Sequence, residues 1–367
     1  MNLHIAPENV FTDTFLNNLE EAGVLANNRV VLRTSEKTLK RVKRAVPFAP
    51  LYSKEFNKHT GDTATYDKVF IHQFTPLLYR WAALREFRQL NWAVWGADLY
   101  NLPFNQKNLY ESLTLARFVS KSFSWNEFLY RAKVSLLHDP YRDAAYRKVS
   151  NILTWMTTEY EFASRNLRTL NADHQFFFYE NQLPYRDLDK ISRSIRSSKR
   201  VPTYILGNSS TPELNHVDVV AWMQEHGVKA NLQIPVSYGD TRYTSFLKKN
   251  VSFYTGGTLE FVDRYMNIQD YLQFLNSADG LIMNNIRPQG YGNIFMMMYL
   301  GKPVFLNPKN ISAPELNKRG LQWFPLEKLA GDPRHGMLDN KDAIMTLLSH
   351  DNLLSAYRDL FSNTSGA

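Results

Sequence analysis

Along this chain, short runs rich in β-branched and aromatic residues alternate with stretches whose apolar positions recur every three or four residues. The strand-like runs are NRVVLRT (28–34), YDKVFIHQF (66–74), NWAVWGADLY (91–100), SNILTWM (150–156) and HQFFFYE (174–180). Each is short and bounded by polar or turn-forming residues, as strands are. Between them lie helical patterns such as FTDTFLNNLEEAG (11–23) and TPLLYRWAALREF (75–87). The second opens on Thr75 and Pro76, a cap and a first-turn signal. A polar, basic stretch near 181–200 reads as a linker. The alternation then restarts with strands in VPTYILGNSS, VKANLQIPVSYG, TLEFVDRYM, DGLIMN and KPVFLN. Helices HVDVVAWMQEHG, TRYTSFLKKN, IQDYLQFLNSA and NIFMMMYLG separate them.

Repeated strand–helix units predict parallel sheets covered by helices on both faces. Two such blocks joined by a basic linker predict two Rossmann-like domains facing a central cleft. The expected boundaries are a first domain over 1–185 with a helical insertion at about 103–148, a linker at 186–200, a second domain over 201–345, and a terminal helix and tail at 346–367. At 367 residues, two domains of ordinary size fit the length.

Composition narrows this picture. With 44% hydrophobic and 14% aromatic residues, both domains can bury real cores. No cysteine is present, which removes disulfides, thiolate metal sites and cysteine nucleophiles. The start, MNLHIAPENVF, lacks a charged segment followed by an apolar one, so a secretory signal is not expected. The longest apolar run, from Ile294 to Leu306, is broken by Gly301, Lys302 and Pro303. It is shorter than the roughly 20 residues a membrane span needs.

A formal charge of +8 points to an acidic partner: nucleic acid, anionic lipid or a phosphorylated substrate. The excess is clustered in KTLKRVKR (37–44), in RDLDKISRSIRSSKR (186–200) and between 103 and 148. Each cluster reads either as a solvated face or as a contact. In 103–148 basic residues interleave with Phe104, Tyr110, Phe118, Phe123, Trp125, Phe128 and Tyr130. That is the pattern of an interfacial helix on anionic lipid, with Arg117, Lys121, Arg131 and Lys133 as contacts.

In doubly wound sheets, ligands bind beyond the carboxyl ends of the strands. Five loops fall there: IHQF after 70, WGADLY from 95, GNSS from 207, PVSYG from 235 and NNIRPQGYGN from 284. The last delivers Gly290, Gly292 and Asn293 to a helix start beside Arg287 and Gln289. Backbone N–H groups and the helix dipole favour an anion there, and a guanidinium can grip phosphate bidentately. Asn208, Ser209, Ser210 and Tyr238 supply similar chemistry from the neighbouring loops. The bland alternative is a tight turn with Arg287 on a structural carboxylate. His72 and Asp98 end two strands of the first block and are candidate catalytic groups. Structural roles, with Asp98 as a helix cap, are the alternative.

WGADLY, ILGNSS…NH, IPVSYG and RPQGYGNIFMMMYLGKPVFLN, in this order, resemble the family-56 glycosyltransferases, the TDP-N-acetylfucosamine:lipid II N-acetylfucosaminyltransferase family. The resemblance implies a GT-B fold, with an acceptor-side first domain and a second domain that holds a nucleotide-sugar donor, TDP-linked by preference. It also implies a polyprenyl-pyrophosphate-linked saccharide acceptor at the inner face of the cytoplasmic membrane, and hence a peripheral, anionic-membrane-associated cytoplasmic enzyme of surface polysaccharide synthesis. The donor diphosphate would rest on Asn208, Ser209, Ser210, Tyr238, Arg287, Gln289, Gly290, Gly292 and Asn293. Asp98, with His72, would serve the acceptor. No cofactor is implied, and with no HxxxH or HExxH spacing metal independence is expected. A non-catalytic nucleotide-binding or nucleic-acid-binding protein is the alternative, although no RNA- or DNA-binding signature is present, so no nucleic-acid partner is expected.

Overall fold

The structure, a computed structural model, describes residues 1–102, 106–122, 125–179, 188–190, 201–331 and 339–362. The expected linker at 186–200 lies outside the described residues except for 188–190, as does the tail from 363.

The chain divides into two compact units. The first comprises Met1–Leu102, Ser124–Asn181 and Ser349–Ala367, and the second Pro103–Phe123 and Gln182–Leu348. The segment 103–123 therefore belongs by its contacts to the second unit, and the C-terminal helix His350–Phe361 to the first.

The first unit holds a seven-stranded sheet. Its strands are β1 (Asn2–Pro7), β2 (Asn28–Arg33), β3 (Phe48–Ala49), β4 (Val69–His72), β5 (Leu90–Ala93), β6 (Val149–Thr154) and β7 (Asp173–Phe176). They lie in the order β3-β2-β1-β4-β5-β6-β7, and every pairing is parallel. β4 (VFIH) and β5 (LNWA) are buried at every position, as central strands covered on both faces must be. The helix Val10–Glu21 starts where the Asn9 side chain accepts from Phe11 N–H, and it buries Phe15, Leu16 and Leu19. The helix His350–Phe361, capped by Ser349, packs beside it. Phe361 closes on His4, Phe15 and Phe70 at ring distances of 5.2, 5.4 and 5.1 Å.

The second unit repeats the plan with β8 (Thr203–Leu206), β9 (Asn231–Pro235), β10 (Leu259–Val262), β11 (Gly280–Met283), β12 (Val304–Leu306) and β13 (Phe324–Pro325). Their order is β10-β9-β8-β11-β12-β13, again all parallel. The helices Thr241–Asn250 and Ile268–Ser277 carry side-chain caps from Asp240 and Asn267. Such caps satisfy N–H groups that would otherwise be orphaned. Both sheets are thus doubly wound, with one reversal of strand order each, between β1 and β4 and between β8 and β11.

The helical insertion expected at 103–148 is not one helix. Ser112–Arg117 docks on the second unit: Asp218 accepts from Leu113 N–H, Thr114 N–H and the Thr114 hydroxyl. Phe118 packs on Tyr243 and Phe246. Trp125–Leu137 belongs to the first unit and leaves Trp125 and Leu136 67% and 76% exposed, with Phe128, Leu129 and Tyr130 also exposed. No helix among the described residues is long and apolar enough to cross a membrane.

The first unit's core contains His4 and His72, both buried, and burial holds both pKa values down, that of His4 to about 4. Both are neutral in the folded protein, whereas the unfolded chain protonates them below about pH 6.5. The unfolded state therefore binds more protons between about pH 6.5 and 4, and stability is lost as pH is lowered through that window. His4 alone accounts for a loss of about 3 kcal/mol. We expect the urea midpoint to be flat above pH 6.5 and to drop steeply toward pH 4.5. An unchanged midpoint at pH 5 would contradict the neutral assignment.

Candidate functional site

In the second unit, the loops after β8 and β11 flank the reversal of strand order, where doubly wound sheets take their ligands. They contain GNSS and NNIRPQGYGN. Gly290, at φ +70°, precedes the helix Tyr291–Tyr299, which no side chain caps. A Cβ at Gly290 would lie 2.5 Å from Met283 Cε and 3.1 Å from Asn208 Oδ1, so only glycine lets the two loops meet. Asn208 in turn donates to Tyr238 Oη at 2.7 Å, drawing in the loop after β9.

Asn215 stitches the arrangement together. Held in the left-handed region at φ 52°, its side chain donates to Glu213 O at 2.9 Å and Asn284 O at 3.0 Å, and accepts from Glu111 N–H at 2.9 Å. Its neighbour His216 is fully buried, and burial lowers its pKa to about 3, so it is neutral.

The structure thus brings together Asn208, Ser209, Ser210, Tyr238, Arg287, Gln289, Gly290, Gly292 and Asn293. Their hydroxyls are less open than their types imply. Ser209 Oγ bonds Thr211 Oγ1 at 2.7 Å. Ser210 donates to Asp240 O at 3.1 Å and accepts from Thr244 at 2.6 Å. Asn293 accepts from Tyr271 Oη at 2.9 Å. Ser210 is therefore a loop-holding residue, its single hydroxyl proton already used.

What distinguishes this place is unmet polarity. Asn208 Oδ1, His216 Nε2, Asn285 Oδ1, Arg287 Nε and Gln289 Oε1 are buried atoms without a hydrogen-bond partner among the described residues. Among the other described residues of the second unit, only Gln233 Oε1 shares that state. Arg287 is 16% exposed, and its counter-charge, Glu213, stands 4.0 Å away. Its best hydrogen bond is a 3.4 Å contact with Pro288 O. Buried polar groups are normally satisfied, so this clustering beside the reversal of strand order makes the place a candidate ligand site. The structure adds Glu213, Asn215, His216 and Asn285 to the candidate residues named from sequence. The Asn-His pair at a helix start was the signal for two of them, and Asn285 lies within the NNIRPQGYGN loop.

In the first unit, Asp98 and His72 are not joined by a hydrogen bond. Asp98 Oδ2 accepts from Phe74 N–H at 2.8 Å and Trp92 Nε1–H at 2.6 Å, and Oδ1 from Trp95 N–H at 3.0 Å. Burial pushes its pKa up against these bonds. His72, expected as its partner in proton transfer, sits instead in a buried chain. With Asn28 Oδ1 accepting from His4 Nε2 at 2.8 Å, His4 Nδ1 accepts from His72 Nε2 at 2.9 Å, and the Tyr179 hydroxyl donates to His72 Nδ1. Neither nitrogen of His72 is left to take a substrate proton.

Of the expected membrane contacts, Arg117 and Lys121 lie in the second unit and Arg131 and Lys133 in the first, all four exposed. The sequence also holds one Asp-x-Asp pattern, at 187–189. Its Asp189 carboxylate accepts from Tyr299 Oη at 2.7 Å and pairs with Lys341 at 2.9 Å.

Comparison with known proteins bears on these findings. Residues 123–329 match the family model described as 4-alpha-L-fucosyltransferase glycosyl transferase group 56. That match takes in the motifs at 205–216, 234–239 and 287–307 but begins after WGADLY, which carries Asp98. Among solved structures, the chain is similar to the sucrose-phosphate synthase of Thermosynechococcus elongatus, at a TM-score of 0.54 and 12% identity over 99% of this chain and 95% of that one. An α,α-trehalose 6-phosphate synthase from Burkholderia multivorans gives 0.54 and 8% over 98% and 95%. A glycosyltransferase from Rickettsia africae gives 0.51 and 13% over 98% and 94%. At such identities the likeness is one of fold.

Proposed function

Since the chain belongs to glycosyltransferase group 56, on a match over more than half its length, and has the two parallel-sheet domains of GT-B glycosyltransferases, we propose that it transfers a TDP-linked sugar to a polyprenyl-pyrophosphate-linked saccharide. The observation that carries this is the set of unsatisfied polar atoms around Arg287 at the reversal of strand order in the second sheet. A nucleoside diphosphate supplies what they lack. Its phosphate oxygens accept from the Arg287 guanidinium and from N–H groups at the start of the helix Tyr291–Tyr299, while the nucleoside's own donors meet Asn208 Oδ1 and Gln289 Oε1. Fixed donors of this kind stabilise the diphosphate as it departs with developing charge. A thermal-shift panel of TDP, UDP, GDP and their sugars tests the donor class. TDP and its sugars should give the largest shift, and a larger shift with GDP would reject the TDP assignment.

On the acceptor side, Asp98 is a positioning residue. It fixes the loops after β4 and β5 by taking N–H groups from each. Proton removal from the acceptor hydroxyl then falls to a group other than His72.

The lipid-linked acceptor fits the surface of Trp125–Leu137. Trp125, Phe128, Leu129 and Leu136 form an exposed apolar stripe, accompanied by the exposed Arg131 and Lys133. Contiguous exposed apolar surface of this kind calls for a partner, and aromatic and basic residues on one short helix suit an anionic lipid surface. Flotation with vesicles containing anionic lipid should capture the protein, less so as salt rises. Neutralising Arg117, Lys121, Arg131 and Lys133 should weaken capture by about 1 kcal/mol per residue and leave TDP affinity intact. Equal binding to neutral vesicles would contradict the electrostatic part.

A further inference from the structure

In the first sheet, β2, β1 and β4 lie side by side, and the order reverses between β1 and β4. Arg33, the last residue of β2, stands in register with Pro7 at the end of β1. Its guanidinium crosses the end of β1 and reaches Gln73, the first residue past β4. Nη2 donates to Gln73 O at 3.0 Å and to Gln73 Oε1 at 2.9 Å. Gln73 itself sits at φ 61°, a left-handed conformation that a residue with a Cβ adopts only when held there. The guanidinium is thus fixed over the reversal point, at the carboxyl edge, where such sheets take ligands.

Its charge has no contacting carboxylate. Among the described residues Arg33 enters no ion pair within 4.0 Å. Asp98, the carboxylate whose charge acts on it, is already engaged by three N–H groups. Arg33 Nε is buried without a partner, and so is Thr75 Oγ1, two residues past Gln73. Burial lowers the guanidinium pKa only to about 10, so it is charged at neutral pH. A desolvated, unpaired cation is costly to keep. In the second unit Arg287, in the loop after β11 beside that sheet's reversal point, likewise has an unsatisfied Nε.

We propose that Arg33, supported by Gln73 and with Thr75 beside it, forms an oxyanion site of its own on the first unit, taking a phosphate or pyrophosphate group. Its ligand is recognised in the way proposed for Arg287: guanidinium donors meet phosphate oxygens, and Thr75, whose backbone N–H donates to the same Gln73 O at 2.8 Å, carries an unpartnered hydroxyl that can add a further donor. Resting on the transferase reading, that group is the phosphate of the lipid-linked acceptor, so that each arginine holds one substrate. The oxyanion chemistry itself does not depend on that reading.

Calorimetric titration of inorganic pyrophosphate into the full chain carrying Arg287→Ala reads the site without altering it. One binding event is expected. It should weaken at least about 10-fold when Arg33→Gln is added, and by an intermediate factor with Arg33→Lys, which keeps the charge but loses the planar fork. Unchanged melting temperature in Arg33→Lys guards against misfolding. A second arm compares phosphatidylcholine vesicles with and without polyprenyl phosphate. Arg33-dependent capture by the phosphorylated vesicles identifies a lipid-linked ligand, and its absence alongside pyrophosphate binding identifies a free phosphate group. No pyrophosphate binding in Arg287→Ala, or binding indifferent to Arg33, would overturn the proposal. Loss of TDP binding by the wild-type chain would instead count against the transferase reading alone.

Discussion

Arg287→Ala is expected to remove most of the thermal stabilisation that TDP confers. At a TDP concentration 100 times its dissociation constant, the wild-type protein gains about 2.7 kcal/mol. The guanidinium's bonds to phosphate are charge-assisted, and deleting them costs about 1.5–3 kcal/mol, or about 10- to 150-fold in affinity. The unliganded protein should barely notice the change. Arg287 makes one long hydrogen bond to Pro288 O and an ion pair with Glu213 that only just reaches 4.0 Å. The signature is therefore a nearly unchanged melting temperature without TDP and a much smaller shift with it. Arg287→Lys, which keeps the charge without the fork, should fall between. A full TDP shift in Arg287→Ala would leave the guanidinium as a structural partner of Glu213.

Asp98→Asn should lose at least about 100-fold in turnover with TDP affinity unchanged, a factor that a displacement of about 1 Å can produce. Three N–H groups converge on the two carboxylate oxygens, and an amide offers one oxygen and one NH2. At least one buried donor then faces another donor, which destabilises the loops after β4 and β5 by about 1–3 kcal/mol. The melting temperature should fall along with turnover. The pH profile separates positioning from proton transfer. As a positioning residue, Asp98 leaves the acid limb of the kcat profile where it was, whereas loss of that limb in Asp98→Asn would identify it as the base. Because burial already raises its pKa, that limb would be shifted upward from the ordinary aspartate value.

The alternation of apolar runs and helical patterns made most of the fold legible. TRYTSFLKKN, for instance, is helical over Thr241–Asn250, where Asp240 caps it. β1, the central strand of the first sheet, was not legible, because NLHIAP mixes Asn2 and His4 among its apolar residues. Both are buried and hydrogen-bonded to Asn28, 26 and 24 residues away. Only tertiary context makes such a segment a core strand. β3 and β13, at two residues each, are too short to carry a pattern. TPLLYRWAALREF gave a shorter helix than its periodicity predicts, Tyr79–Ala83 after a 3-10 turn. The insertion at 103–148 could not be divided from sequence, since the docking of Ser112–Arg117 depends on Asp218, more than a hundred residues on.

The candidate site was legible in its residue types and less so in their surroundings. Gly290 and Arg287 stood out because a positive φ and a guanidinium are carried by particular amino acids. That Ser210 is occupied by Asp240 and Thr244, and His72 by His4 and Tyr179, depends on partners that no local pattern announces. The unsatisfied state of Asn208, Asn285 and Gln289 is a property of the assembled loops alone.

The most direct measurement is a crystal structure of the protein with TDP bound. The diphosphate should lie at the reversal of strand order in the second sheet, between residues 207–210 and 287–293, with the Arg287 guanidinium on its oxygens and drawn away from Glu213. A diphosphate bound elsewhere, with Arg287 still facing Glu213, would contradict the account.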